Sequence, residues 1–448
     1  MRDPELSEMV RLRLYAEQHR LIDDPLGNAV RQVLDAGVED EFISDELRGR
    51  VRKHRIARAF AGPFETPRLE GGDLCLGTDL NGRLLWMPSQ FMNGHSLTVG
   101  NSGSGKTTKS KFNIVQMARL VGGLWAFDLR KAEFASTAAA QNAQGLETTV
   151  LRPHDVKLNP LQVPEGSSPG AWAPRIAEAI GLALRLPPRA TKLVHTRILM
   201  LFDEFGVMAQ GDQAERFPTL FDLRESVAAD RHAHPAAKHA LVDSLDPILL
   251  SLGQSLAFYR GWSSSDLARF RIVFELGAIG EAAKDLILTS ILSAEFMSRV
   301  ARGYSNAPMD LFVVCDEAGS LLSSSAHAAG LSDLLGLVRG TGIGLDLSTQ
   351  TANIAPGFLS NTANKFLGRV GSATDLETIG NAMGLTSEQR RWACQNLTPG
   401  LFIGQLGEGE WRRPFVFRVP SLQRSTAAAA AVPNVIRNLP LLPSPNRS

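Results

Sequence analysis

Gly100-Asn101-Ser102-Gly103-Ser104-Gly105-Lys106-Thr107 is the stretch on which the reading of this chain turns. It is a complete G-x-x-x-x-G-K-[ST] run. His95-Ser96-Leu97-Thr98-Val99 precedes it as an apolar strand, and Thr108, Phe112, Ile114, Val115 and Met117 follow it in a helical stretch. Glycines let the backbone curl so that several N–H groups point inward, and the helix after the turn adds the positive end of its dipole. Such a loop suits a phosphate chain. Residues 100–108 are therefore expected to cradle the phosphates of ATP. Lys106 brings a mobile positive charge to the β- and γ-phosphates, and the Thr107 hydroxyl is placed to ligate Mg²⁺.

A phosphate loop of this kind needs an acid on a neighbouring strand. Leu311-Phe312-Val313-Val314-Cys315-Asp316-Glu317 offers five apolar residues and then two acids. Asp316 is expected to order the magnesium shell and Glu317 to polarise the attacking water as general base. A similar run, Ile198-Leu199-Met200-Leu201-Phe202-Asp203-Glu204, is set aside because Leu193, Arg197 and Leu201 place it in a helical pattern. Two further strand ends join the candidates. Gly344 to Gln350 ends in an amide suited to reporting on the γ-phosphate, and Leu124 to Asp128 ends in an acid followed by Lys131 and Glu133.

Outward from this centre the chain divides by texture. Residues 1–62 read as a helical module. Leu6, Val10, Leu14 and Leu21 mark one helix face, Asp24-Pro25 is a cap-and-start signal, Gly37 is a stop, and a third helix opens near Ser44. That last helix carries Arg48, Arg50, Arg52, Lys53, Arg55 and Arg58, which suits a solvated helix face, a partner surface or a nucleic-acid face. Residues 63–155 form the first part of an α/β core, with an Asn81-Gly82 hairpin signal. Residues 156–305 read as a mostly helical insertion containing one strand, Arg271 to Leu276. Residues 306–420 return to strand–helix alternation, and 421–448 form an Ala/Pro/Ser-rich flexible tail.

Composition narrows the function classes. Lys and Arg number 47 against 46 Asp and Glu, a net charge of +1 over 448 residues, so any nucleic acid must be held by local patches. The three cysteines, Cys75, Cys315 and Cys394, lie far apart, which excludes a disulfide scaffold and a cysteine zinc site. His232 and His234 lack the further ligands a zinc site requires. The charged start Met1-Arg2-Asp3-Pro4-Glu5 is unlike a signal peptide, and no apolar run approaches about 20 residues, so a cytoplasmic protein without membrane insertion is expected.

Taken in order, GNSGSGKT at 100–107, FDLRKAEF at 127–134, LFVVCDEAG at 311–319 and RGTGIGLDLSTQ at 339–350 resemble the FtsK/HerA superfamily of ring ATPases. The resemblance is nearest to the conjugative, type IV secretion branch, and covers about residues 70–420. It implies a RecA-like P-loop core and a homo-oligomer, usually a hexamer. ATP then lies between neighbouring subunits and DNA, double-stranded for preference, passes through the pore. It also implies an arginine supplied from the adjacent subunit, with Arg369 preferred over Arg339. A secretion ATPase acting on protein, or an ATP-gated subunit of a DNA-processing or defence complex, would share these motifs. The N-terminal module is then a docking element for a protein partner or for DNA.

Overall fold

The computed structural model describes residues 8–18, 21–37, 40–67, 71–322, 338, 340–420 and 442–443. Strands β1 (Leu74–Thr78), β2 (Leu84–Met87), β3 (Ser96–Val99), β4 (Gly123–Asp128) and β5 (Thr148–Leu151) are followed by β6 (Phe258–Arg260) and β7 (Arg271–Glu275). Then come β8 (Leu311–Asp316), β9 (Ile343–Thr349), β10 (Asn364–Leu367), β11 (Leu401–Gln405) and β12 (Phe415–Arg418). All except β6 join one 11-stranded sheet in the order β2-β1-β12-β11-β10-β3-β9-β8-β4-β7-β5. From β10 to β5 every pairing is parallel. From β10 through β11, β12 and β1 to β2 every pairing is antiparallel.

Covered on both faces, the parallel strands have no solvent side, and β3, β4, β5, β8, β9 and β10 are buried at every residue. The period-2 alternation of each strand sorts its side chains into two layers. Leu124, Ala126, Phe312 and Val314 pack with Ile114 and Met117 of helix α4 (Lys106–Leu120; α1 to α3 belong to the N-terminal module below). Trp125, Phe127, Val313 and Cys315 face the other way, into the large core that the central helices complete. Those helices are α6 (Pro169–Ala183), α7 (Pro188–Glu204), α8 (Val207–Gln210), α9 (Leu220–Ala229), α10 (Pro235–Leu256), α11 (Ser264–Leu267) and α12 (Glu281–Ala301); α5 (Ala135–Asn142) lies between β4 and β5 in the chain.

The segment 156–305 is not wholly peripheral. Its strand β7 lies between β4 and β5 in the main sheet, so the chain leaves the core after β5 and re-enters it at Arg271. An apolar run such as Arg271-Ile272-Val273-Phe274-Glu275 has the same pattern in a core strand as in an isolated one, and only strand pairing distinguishes them. The set-aside acids Asp203 and Glu204 are exposed at the C-terminal end of helix α7 and do not end a strand.

The N-terminal module consists of α1 (Glu8–Gln18), α2 (Pro25–Asp35) and α3 (Glu41–Ala61), closed around Leu12, Ala16, Ile22, Val30, Leu47 and Val51. Asp24 caps α2 through the Gly27 N–H. The third helix begins at Glu41, earlier than its sequence suggests, because Asp40 accepts from the Ile43 N–H at 3.0 Å. Part of its basic face is already committed, since Arg50 bonds Glu46, Asp24 and the Leu21 carbonyl. Among the described residues no helix is long and apolar enough to cross a membrane.

Candidate functional site

Parallel strands deliver their C-terminal ends to one edge of the sheet, and that is where the turn after β3, the acids after β8 and the amide after β9 meet. The turn Gly100–Gly105 joins β3 to α4. Gly103 and Gly105 take φ values of +77° and +101°, a region side chains rarely adopt. A Cβ on Gly105 would sit 2.8 Å from the Gly400 nitrogen, and one on Gly100 would sit 2.6 Å from Ser104 Oγ. The loop is also tied to its surroundings. Asn101 N–H donates to the Arg369 carbonyl at 2.7 Å, and Gly400 N–H donates to the Ser104 carbonyl at 2.9 Å.

Lys106, at the first turn of α4, folds back over this loop. Its ammonium donates to the Gly100 carbonyl at 2.6 Å and the Asn101 carbonyl at 3.2 Å. Burial pushes its pKa down, Glu317 and Asp316 pull it back up, and Lys131 opposes them. One residue on, Thr107 Oγ1 donates to Asp316 Oδ2 at 2.7 Å. Ser348 of β9 donates to the other oxygen of Asp316, which therefore has a fixed orientation. Glu317 follows in left-handed backbone with φ +64°, strain worth roughly 1–3 kcal/mol for a non-glycine residue. Its N–H donates to Asp316 Oδ1 at 3.1 Å, and Gln350 Nε2 lies 2.6 and 2.7 Å from its two carboxylate oxygens.

The residues present fit a nucleotide phosphate with magnesium. Ser104 Oγ, a hydroxyl able to donate to a phosphate oxygen, is buried in the loop with no hydrogen-bond partner in the structure. A hydroxyl facing a carboxylate is the hard-oxygen donor set Mg²⁺ takes, and such a site needs few protein ligands because phosphates and water supply the rest. Among the described residues no group of three or more His, Cys, Asp or Glu gathers as a metal cage.

The structure gives one candidate a structural part and supplies four residues that the motifs did not flag, Arg130, Lys109, Asn113 and Asp346. Asp128, taken as a candidate for chemistry, uses both oxygens to hold a turn. It accepts from the N–H groups of Lys131 and Ala132 at 3.1 Å, Glu133 at 2.5 Å and Phe134 at 2.8 Å. That turn presents Arg130, whose guanidinium lies 3.6 Å from Glu317 Oε2. Beneath the phosphate loop, Asp346 of β9 bonds Lys109 Nζ at 3.1 Å and Asn113 Nδ2 at 2.8 Å, all three buried. The signal was available: an aspartate and a serine two apart in an otherwise apolar parallel strand, Asp346 and Ser348, demand buried partners. Arg369 is exposed and its backbone lies against the phosphate loop of its own chain, whereas Arg339 is outside the described residues.

No protein-family model matches this chain, and no curated protein matches its sequence. Solved structures do match in fold. VirB4 of Thermoanaerobacter pseudethanolicus superposes with a TM-score of 0.62 at 18% identity, over 80% of this chain and 99% of that one. The plasmid coupling protein TrwB in complex with ADP and Mg²⁺ gives 0.56 at 15% identity, over 82% and 93%. TrwB with the non-hydrolysable ATP analogue ADPNP gives 0.55 at 15% identity over the same shares. The α/β fold of this chain, a large mostly parallel sheet with a P-loop after β3, is the fold of those proteins.

Proposed function

We propose that a chain sharing its fold with VirB4 and TrwB, and carrying this site, is an ATP-hydrolysing motor of the conjugative ATPase type, a homohexamer that draws double-stranded DNA through its pore. The observation that carries the reading is the convergence of Thr107 on Asp316 and of Gln350 on Glu317 beside the glycine loop. Three separate strand ends supply those residues, and no structural need requires the two acids to be adjacent at the C-terminal edge of a buried strand. TrwB, solved with ADP and Mg²⁺ and with an ATP analogue, supports the choice of ligand.

In this mechanism the backbone N–H groups of Ser102, Gly103, Gly105 and Lys106 and the ammonium of Lys106 bind the β- and γ-phosphates. Thr107 and Asp316 would hold magnesium, which supplies charge neutralisation across those phosphates. Glu317 accepts a hydrogen bond from the water that attacks the γ-phosphorus, giving ADP and inorganic phosphate from ATP and water. Gln350, already bonded to Glu317, registers whether the γ-phosphate is present. Arg369, exposed on the rim of the loop, is the arginine offered to a neighbouring subunit's nucleotide, in preference to Arg339. The protein works in the cytoplasm, with residues 1–62 as the docking element for its partner.

The test is steady-state ATP hydrolysis with and without long double-stranded DNA, beside Glu317→Gln. Several-fold stimulation by DNA, with turnover in the variant down about 100-fold or more, is the expected result. Turnover indifferent to DNA would favour a second reading, a motor for protein export. An ATP-dependent complex with no turnover would instead make nucleotide a switch.

A further inference from the structure

The strand-end loop after β4 is built with more care than a connection between a strand and a helix needs. Four consecutive N–H groups, from Lys131 to Phe134, converge on the Asp128 carboxylate. Ala132 is driven into left-handed backbone at φ +51° to permit this. From the other side the Leu276 N–H donates to the Asp128 carbonyl at 2.9 Å. Gly277 then approaches so closely that a Cβ there would lie 2.9 Å from the Arg130 carbonyl. The clamped turn leaves two cations at its tip, Arg130 and Lys131, both exposed. Arg130 lies 3.6 Å from Glu317, and Lys131 is near enough to depress the Lys106 ammonium.

A guanidinium on a rigid turn, facing the carboxylate that sits beside the phosphate loop, has one obvious competitor for its charge. A γ-phosphate entering between Lys106 and Glu317 brings a denser negative charge than a single carboxylate, and its planar face of oxygens matches the guanidinium fork. ADP brings none there. We propose that Arg130 reads the terminal phosphate of the nucleotide bound in its own subunit. Without nucleotide it rests on Glu317, which is also tied down by Gln350. With ATP it transfers to the γ-phosphate and leaves Glu317 free to orient water. The clamp made by Asp128 and Gly277 fixes the distance over which this transfer takes place. The inference rests on the nucleotide reading given above and adds, beside the neutral amide of Gln350, a charged group that binds the terminal phosphate.

Equilibrium titration of the full chain with fluorescent ADP and with fluorescent ADPNP, both with Mg²⁺, tests it in Arg130→Ala and Arg130→Lys. The expected result is a loss of about 10-fold or more in ADPNP affinity for Arg130→Ala, with ADP affinity within about twofold of wild type, and partial recovery for Arg130→Lys. Equal losses for both nucleotides would overturn the proposal, leaving Arg130 as a general electrostatic contributor. So would unchanged affinity for both. Failure of the unaltered chain to bind either nucleotide would overturn the phosphate-site reading itself, and Lys106→Ala, which must lose both nucleotides together, separates that case from the others.

Discussion

At the scale of single residues, the buried ion pair under the phosphate loop carries the sharpest consequence. Lys109 and Asp346 lie 3.1 Å apart with almost no exposure, Asn113 completes the cluster, and the Lys109 ammonium also sits 4.2 Å from the centre of the Phe366 ring. Such a pair adds little net stability over an apolar isostere, but breaking it strands a charge. Asp346→Ala is expected to cost roughly 3–5 kcal/mol in urea unfolding, and Lys109→Met combined with Asp346→Leu to recover most of it. A single substitution as mild as Lys109→Met alone would show the pair to be solvated. That residues 100–108 meet Asp316, Glu317 and Gln350 at one sheet edge was legible in the sequence, because a glycine turn and polar residues at the ends of apolar strands are local patterns. Arg130 was not, since an arginine after a strand is ordinary until its neighbour across the sheet is known.

Elements decide how firmly the loop is held. The turn at Gly400 backs the phosphate loop, and Gly105 at φ +101° leaves no room for a side chain against it. Gly105→Ala is therefore expected to weaken ADP and ADPNP together, by about 10-fold or more, and to lower the unfolding midpoint, because alanine is strained at positive φ. Isothermal titration and thermal melts on one preparation check both halves. Gly277→Ala acts on the other clamp. It displaces the Arg130 turn and is expected to give a weaker form of the Arg130→Ala signature, a preference for ADP over ADPNP in the same titrations. The sequence showed that β4 ends in an acid, but not that the acid would be spent on its own turn. Four N–H groups had to fold back before its function was fixed.

For the whole molecule, the edge location of the site is the feature that matters. A loop at the C-terminal end of a parallel sheet is open to a neighbour, and the ring reading requires one. Native mass spectrometry of Glu317→Gln with ATP and Mg²⁺ is expected to show six copies, and persistent monomer under those conditions would remove the ring from the mechanism. DNA affinity of that assembly is expected to fall steeply with salt, because a chain of net charge +1 can hold phosphates only through local basic patches. By itself the sequence determined the phosphate loop, its two acids, the amide after β9 and the α/β class, since each is a local pattern read over a few residues. Tertiary structure alone decided that β7 lies between β4 and β5, that Asp346 anchors Lys109, and that Arg130 faces Glu317. Those facts depend on which strands become neighbours, and pairing between residues more than a hundred positions apart leaves no mark on any local pattern.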